Sequence, residues 1–418
     1  MKIAYINTVF GVKSTGRTYA ELKQSLEEKG HEVKVFYGFG KSNVANTYRI
    51  GNDFTYYTHN FCSRIFGLEG HFSYCATKKL TKQLEEFNPD IIEFGNIHGH
   101  YLHLPTIFKY LHKVQKPTFI TTHDCWSFTG KCTHFTEFKC DKYQTLCKDC
   151  PAKKNYPRSW FFDFSKKLFL EKKEGFSKIE NLTVICVSNW MGEQVNKSFL
   201  KEKKVEVNYN WIDTNNFNIL DTNERKTIRN ENGINDEDFL IIAVSSFWKK
   251  STPRYNDLLA LMGKLKDNQK LLVVGSVQDE FPANERVKFI SFVSDVKYLA
   301  KLYGSADAFV HFSVEDTFGK VIAEAQATGT PAIVYNSTAC PEVALIGNGY
   351  VCEKRNVNQA YSVIEQISNM SLIERDKNRI ERAKLVHDVL SKETRINYLI
   401  DLYEKALNDN GKEDTQCY

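Results

Sequence analysis

Residues 308–342, AFVHFSVEDTFGKVIAEAQATGTPAIVYNSTACPE, constrain the fold of this chain more than any other stretch. Ala308 to Phe312 is an apolar run, Ser313 to Gly319 is an acidic turn ending in glycine, and Lys320 to Ala327 follows a helical pattern. The order strand, loop, helix start is that of a parallel α/β sheet. At such a junction the amides of Thr317 to Lys320 have no intrahelical acceptors and stand at the positive end of a helix dipole, which suits a phosphate. Asp316 and Glu324 are eight positions apart, the first in the loop and the second just over one turn into the helix. Both can face the crevice outside the carboxyl ends of the strands. The competing reading is a surface acid and a helix-capping acid.

The pattern acid, seven residues, Glu, with Phe318-Gly319 inside it and Ala325-x-x-x-Gly329-x-Pro331 after it, resembles the nucleotide-sugar site of the family-4 retaining glycosyltransferases of the GT-B fold. That family usually has Glu at the first acidic position; here it is Asp316, with Glu315 beside it. The resemblance implies two doubly wound, Rossmann-like parallel-sheet domains facing a central cleft. It implies donor contacts by Thr317, Phe318, Gly319 and Glu324, the last to the nucleotide ribose, with Asp316 nearest the transferred sugar. It also implies no catalytic metal. At 418 residues the chain has room for two domains, and 42% hydrophobic with 26% charged residues is a globular composition.

Taken in order, Lys2 to Asn7 reads as a strand, Thr15 to Lys29 as a helix stopped by Gly30, and Glu32 to Tyr37 as the next strand. The loop Thr8 to Arg17 carries Gly11 and Gly16; the family resemblance makes Gly16 a donor-phosphate contact, and a plain loop is the competing reading. Ala76 to Phe87 reads as a helix, and Asp90 to Phe94 and Pro117 to Thr121 as strands. Their ends present His98 and His123-Asp124 to the ligand crevice of an open sheet. His123 matches the family position that meets the transferred sugar or acceptor, where an imidazole can donate to a sugar hydroxyl or the leaving phosphate. His98, Asp124 and Ser188, the last also a helix cap, are placed on the acceptor side.

Residues 124–160 hold Cys132, Cys140, Cys147 and Cys150, the final pair a Cys-x-x-Cys before Pro151. Three readings stay open: one structural Zn held by four thiolates, unpaired thiols packing an insertion, or disulfides. Together with His123-Asp124, Trp126 and Phe128-Thr129-Gly130, this segment is similar to bacterial exopolysaccharide and colanic-acid-type glycosyltransferases.

Charge is split unevenly. Residues 1–210 carry 31 − 21 = +10 and residues 211–418 carry 25 − 30 = −5. A basic first half facing anionic lipid is one explanation and a solvated lysine surface the other. Phe162 to Lys178, with Lys166, Lys167, Lys172, Lys173 and Lys178 among apolar residues, reads as a basic amphipathic helix for such a surface. No apolar run is long enough to span a membrane and MKIAYINTVF is strand-like, so a cytoplasmic protein is expected, at the inner face of the cell membrane if the basic helix binds lipid.

Asn208 to Phe217 resembles the family's interdomain linker, with Trp211 where a glycine is usual. A second strand–helix series follows at Phe239 to Val244, Lys270 to Val274 and Val287 to Ile290. The same resemblance implies that Lys250 and Arg254 are the cations that neutralise a leaving diphosphate and that Phe292 lies where the base meets the strand ends. The expected organisation is an acceptor-side domain over 1–207, a donor domain over 208–390, a helix over 391–407 crossing back, and a polar, disordered tail over 408–418. The expected activity is retaining transfer of a hexosyl group from a UDP- or GDP-sugar to a glycan or lipid-linked glycan, in surface polysaccharide biosynthesis. No nucleic-acid partner is expected. A nucleotide-sugar epimerase and an inactive nucleotide-sugar-binding subunit are the alternatives.

Overall fold

The structure is a computed structural model that describes residues 1–250, 252–277, 281–282 and 284–413. The chain divides into two compact units: Met1–Asn208 together with the chain from Ile396 onward, and Tyr209–Arg395.

The first unit runs β1 (Lys2–Val9), α1 (Lys13–Glu28), β2 (Glu32–Phe39), β3 (Thr47–Arg49), α2 (Asp53–Phe66), α3 (Tyr74–Phe87), β4 (Ile91–Phe94), α4 (Leu104–Val114), β5 (Thr118–Thr122), α5 (Ser165–Ser177), β6 (Leu182–Cys186), α6 (Asn189–Asn196) and β7 (Lys204–Val207). The second runs α7 (Thr222–Glu231), β8 (Phe239–Trp248), α8 (Pro253–Met262), β9 (Gln269–Val277), β10 (Val287–Ile290), α9 (Val296–Ser305), β11 (Ala308–His311), α10 (Lys320–Ala327), β12 (Ala332–Tyr335), α11 (Cys340–Ile346), β13 (Tyr350–Cys352), α12 (Val357–Ser368) and α13 (Leu372–Leu390). A last helix, α14 (Lys392–Glu413), closes the described chain.

The sheets have strand orders β3-β2-β1-β4-β5-β6-β7 and β10-β9-β8-β11-β12-β13, and every paired strand is parallel. Central strands such as Leu182–Cys186 and Ala308–His311 are buried at every residue, which is why they read as apolar runs and not as alternating ones. Each sheet reverses its strand order once, at β1/β4 and at β8/β11. Loops leaving neighbouring strands diverge there and open a crevice at the strands' carboxyl ends.

Several expectations change. Gly16 lies inside the first turns of α1, not in a loop. A Cβ there would come within 3.1 Å of Val9 Cγ2, so the glycine permits close packing of helix on strand, and its carbonyl accepts from Gly11 N at 2.8 Å. The left-handed glycine of that turn is Gly11, at φ +71°. Trp211 is buried, and its φ is not positive, so no glycine-like backbone is needed at that position. Helix α14 continues through Asn408–Glu413 where a disordered tail was expected; residues 414–418 lie outside the described residues. Helix α5 buries Leu168, Phe169, Phe176 and also Lys172, whose Nζ donates to Trp126 O at 2.5 Å and stands 3.6 Å from the indole centre. Burial pulls that ammonium down to about 7. Lys172 therefore contributes nothing to a lipid-facing surface, and among the described residues no helix is long and apolar enough to cross a membrane.

Candidate active site

In the second unit the β8/β11 reversal brings three features together. The first is the start of α10. Gly319 takes φ +84° as its N-cap, no side chain caps the helix, and no acid occupies its first turn. The dipole's positive end thus carries no protein anion of its own in that turn. A Cβ at Gly319 would come within 2.7 Å of Ile322 Cδ1, the movable end of a side chain, so it is the left-handed backbone that favours glycine there.

The second is Asp316. His311 Nε2, at the end of β11, lies 2.8 Å from its Oδ2, and Cys340 Sγ, at the start of α11, donates to the same oxygen at 3.8 Å. Its backbone N donates to Thr338 Oγ1 at 3.0 Å and its carbonyl accepts from Ala339 N at 3.2 Å. The acidic turn is therefore fastened to the following strand–helix corner, with the Asp316 side chain still 29% exposed. His311 and Cys340 were not singled out in the sequence; His311 stands on the buried strand five residues before the acid, and Cys340 is distant in sequence.

The third is Arg254, in the first turn of α8. Its Nη2 donates to Phe247 O at 3.0 Å and its guanidinium lies 5.3 Å from the Trp248 ring centre. Burial lowers its pKa, and the Asp316 charge opposes that shift. Lys250 is exposed just after β8, and Phe292, 55% exposed, follows β10. Thr317 and Glu324 are half-buried, and the Glu324 charge is felt by the buried phenol of Tyr303. Phe318 differs from its expected role: it is buried, with Tyr209 6.0 Å away, so its ring packs the turn and does not face a ligand.

In the first unit the ends of β4 and β5 form a groove lined by Gly95, His98, Thr121, His123, Asp124 and Ser127. His98 Nε2 pairs with Asp124 Oδ2 at 2.6 Å and its Nδ1 meets Tyr156 Oη at 3.2 Å. Although burial raises the Asp124 carboxyl, His98 and the Trp126 amide hold it below the usual range. His123 is half-buried, and its ring meets Tyr19 edge-on at 5.9 Å. The backbone of this loop rests on Glu69, whose Oε1 accepts from Gly99 N at 2.9 Å and His100 N at 2.7 Å. Nothing in the sequence marks Glu69. Ser188 is fully buried and its Oγ accepts from Met191 N at 3.1 Å, so it serves as the α6 cap and presents no atom to a ligand surface.

Among the described residues, two sets of three ligand-type atoms lie mutually within 4.8 Å: His59/Glu69/His100 and His311/Asp316/Cys340. Cys132, Cys140, Cys147 and Cys150 form no such set, whereas a tetrahedral Zn site at about 2.3 Å per sulfur would draw all four together. They form no disulfide and pack on the core. Cys132 hydrogen-bonds Cys150 and thereby lowers the Cys150 thiol to about 7, while burial raises Cys147 to about 11.

A parallel sheet with an uncapped helix start, an arginine and a fastened acid at its strand-order reversal is the layout of a phosphate-bearing-ligand site in the doubly wound class. Two family models match successive parts of the chain: "Glycosyltransferase Family 4" over residues 15–216 and "Glycosyl transferases group 1" over residues 224–386. The chain belongs to the family-4 glycosyltransferases of the GT-B fold. It is 30% identical over 257 residues, 57% of this chain and 64% of the relative, to an uncharacterized glycosyltransferase of Methanocaldococcus jannaschii. It is 27% identical over 278 residues, 65% of this chain and 66% of the relative, to the putative colanic acid biosynthesis glycosyl transferase WcaC of Escherichia coli. The matches span about two thirds of the length of these two curated relatives, 64% and 66%. In fold it is similar to sucrose-phosphate synthase from Thermosynechococcus elongatus, with TM-score 0.70 at 15% identity over 98% of this chain and 99% of that one. It is also similar to the Anabaena protein HepE in complex with UDP-glucose, with TM-score 0.64 at 13% identity over 97% of this chain and 100% of that one.

Proposed function

We propose that the chain transfers a hexosyl group, with retention, from a UDP- or GDP-sugar to a glycan or lipid-linked glycan acceptor, in surface polysaccharide biosynthesis on the cytoplasmic side of a membrane. The observation that carries the reading is the meeting of the uncapped α10 start, Arg254 and Asp316 at one strand-order reversal. The name of the WcaC relative and the UDP-glucose bound by HepE support the substrate class.

In this reading the leaving diphosphate accepts hydrogen bonds from the amides at Gly319 and Lys320, while Arg254 and Lys250 neutralise its charge. The bond from the anomeric carbon to the phosphate oxygen breaks with its electron pair going to phosphate. The acceptor oxygen bonds to the same face of that carbon, and its proton passes to the departing phosphate. Asp316 sits nearest the sugar, where positive charge develops as the bond breaks, and Glu324 accepts from the ribose. His123 is the first unit's candidate for contacting the sugar or acceptor, with His98 and Asp124 fixing the loop beside it. Cys132, Cys140, Cys147 and Cys150 are the residues that would hold a structural zinc, and metal analysis of the purified protein decides between that and free thiols.

The test divides the two acids. Glu324→Gln weakens nucleoside diphosphate binding by about 1.5 to 3 kcal/mol, because the ribose contact exists in ground and transition states alike. Asp316→Ala lowers single-turnover transfer and leaves nucleotide affinity nearly unchanged. Parental behaviour in either variant refutes the assignment of that residue. Incubation with a panel of nucleotide sugars separates the classes: nucleotide release with sugar on an acceptor marks a transferase, an altered sugar an epimerase, and binding without chemistry a binding subunit.

A further inference from the structure

Helix α2 is inside-out. Of its fourteen residues the two that are buried are polar, His59 and Ser63, whereas Phe54 is 78% exposed, Tyr57 58% and Phe61 57%. A helix on a water-facing surface ordinarily does the reverse. The helix is held in this orientation by hydrogen bonds. His59 Nδ1 lies 2.6 Å from Ser73 Oγ, its Nε2 accepts from Gly70 N at 3.2 Å, and Ser63 Oγ donates to Glu69 Oε2 at 2.8 Å. Glu69 is in turn bound by His100 Nδ1 at 2.7 Å. Rolling α2 to bury its aromatic stripe would strand a fully buried carboxylate and a buried imidazole, which costs more than the exposed rings do.

A second segment extends the stripe. Trp160, Phe161 and Phe162 are exposed, and Trp160 N donates to Arg64 O at 2.6 Å, which seats the segment against the end of α2. Trp160 meets Phe61 edge-on at 6.3 Å and Phe162 stacks on Phe66 at 6.5 Å. The rings form one apolar surface built from two stretches of chain. Its rim is basic: Arg64 is exposed, Lys153 Nζ donates to Phe161 O at 3.2 Å, and residues 153–167 carry Lys153, Lys154, Arg158, Lys166 and Lys167 against Asp163 as the one acid, a net 5 − 1 = +4.

We propose that this surface seats the first unit on an anionic lipid bilayer, with the rings of α2 and residues 160–162 at the headgroup boundary and the basic rim on lipid phosphates. Phe, Tyr and Trp favour that boundary, and cations beside them fit a negatively charged surface and no neutral one. The contact is made by α2 and the 160–162 segment, with Lys166 and Lys167 at the start of α5 in its basic rim and the buried Lys172 outside it, and it does not depend on the donor chemistry.

The full chain is mixed with phosphatidylglycerol/phosphatidylcholine vesicles and, separately, with phosphatidylcholine vesicles, and bound protein is measured by co-sedimentation. Binding to the anionic vesicles is expected, weakening as salt is raised, with little on the neutral ones. Trp160 is the exposed one of the five tryptophans, so emission should shift to the blue on binding, and Trp160→Phe should remove most of that shift. Phe61→Ser combined with Phe161→Ser should lower the partition coefficient about tenfold or more. Lys166→Glu combined with Lys167→Glu should weaken binding to anionic vesicles while leaving the aromatic surface intact. Parental far- and near-ultraviolet circular dichroism shows that the variants are folded, and vesicle binding is read without donor or acceptor, so it fails or succeeds apart from the transferase reading. No binding to anionic vesicles, or undiminished binding by the aromatic double variant, overturns the proposal. So does a dimer in solution that the same variant dissociates, since the rings would then be covered by a second copy.

Discussion

Glu93, on β4, should make the first unit less stable as pH rises from acid to neutral. Its carboxyl is wholly buried, with Tyr19 Oη at 3.3 Å and Thr121 Oγ1 at 2.8 Å donating to Oε1 and the Tyr403 hydroxyl donating to Oε2. Tyr403 belongs to α14, so this carboxyl also ties the last helix to the sheet. Burial raises the group from 4.5 to about 7, and the three hydroxyls only partly reverse that shift. Below 4.5 folded and unfolded chains both hold the proton. Between 4.5 and 7 the unfolded chain releases it and the folded chain does not, so each step up in pH favours unfolding; above 7 the loss is complete. Raising the carboxyl from 4.5 to about 7 corresponds to about 3 kcal/mol. Glu93→Gln keeps an acceptor for the hydroxyls and abolishes the titration, so the variant should gain about 3 kcal/mol on the parent between pH 4.5 and 8. Urea titrations read by amide-exchange labelling of β4 and α14 peptides isolate this unit, because a two-unit chain need not unfold in one step. A difference between variant and parent that does not change with pH refutes the argument.

Asp307 predicts the opposite slope in the second unit. Its carboxylate pairs with Arg225 at 2.7 Å, Arg229 at 3.2 Å and Arg375 at 3.4 Å, and these charges outweigh burial to hold it below 3.8, so its contribution is present above that value and lost as pH falls through the lowered one. Asp307→Asn leaves Arg229, 2% exposed, without its counter-charge and should cost about 3 to 5 kcal/mol in urea unfolding; a loss below 1 kcal/mol refutes it. Among Cys132, Cys147 and Cys150, Cys150 should alkylate first at pH 7.5, because its hydrogen bond with Cys132 lowers its thiol while the other two are raised. One equivalent of zinc in purified protein, with all four thiols protected until a chelator is added, would establish the metal reading.

The doubly wound fold was legible because buried parallel strands are written as apolar runs and their helices as periodic ones, as at 308–327. What the sequence hid falls into two kinds. Burial reverses the apparent role of individual residues: Lys172 reads as one lysine of a basic face and is a buried cation under an indole, and Phe318 reads as a ligand contact and is packing. Polar groups that organise a site from a distance leave no local pattern. Glu69 holds α2 and the His98 loop at once, yet it stands in the sequence as a single acid between leucine and glycine. Helix α2 escapes periodicity for the same reason, since the stripe that would mark its buried face is the one it exposes.

Asp316 joins both kinds. The substitution of aspartate for the usual glutamate is visible in the sequence and reads there as a shortened reach. The arrangement around it is not visible. His311 and Cys340 arrive from the ends of a strand and the start of a helix on either side of the turn, and both address one carboxylate oxygen, Oδ2. Oδ1 has neither of these partners. A shorter side chain held through one oxygen has its second oxygen direction set by the first, since a carboxylate is planar and rotates about a single bond. Glutamate would add a methylene and a torsion to that geometry and would meet the same two donors at a different height. The neighbours therefore suit aspartate, and Asp316→Glu tests site geometry at unchanged charge, where Asp316→Ala tests the charge itself.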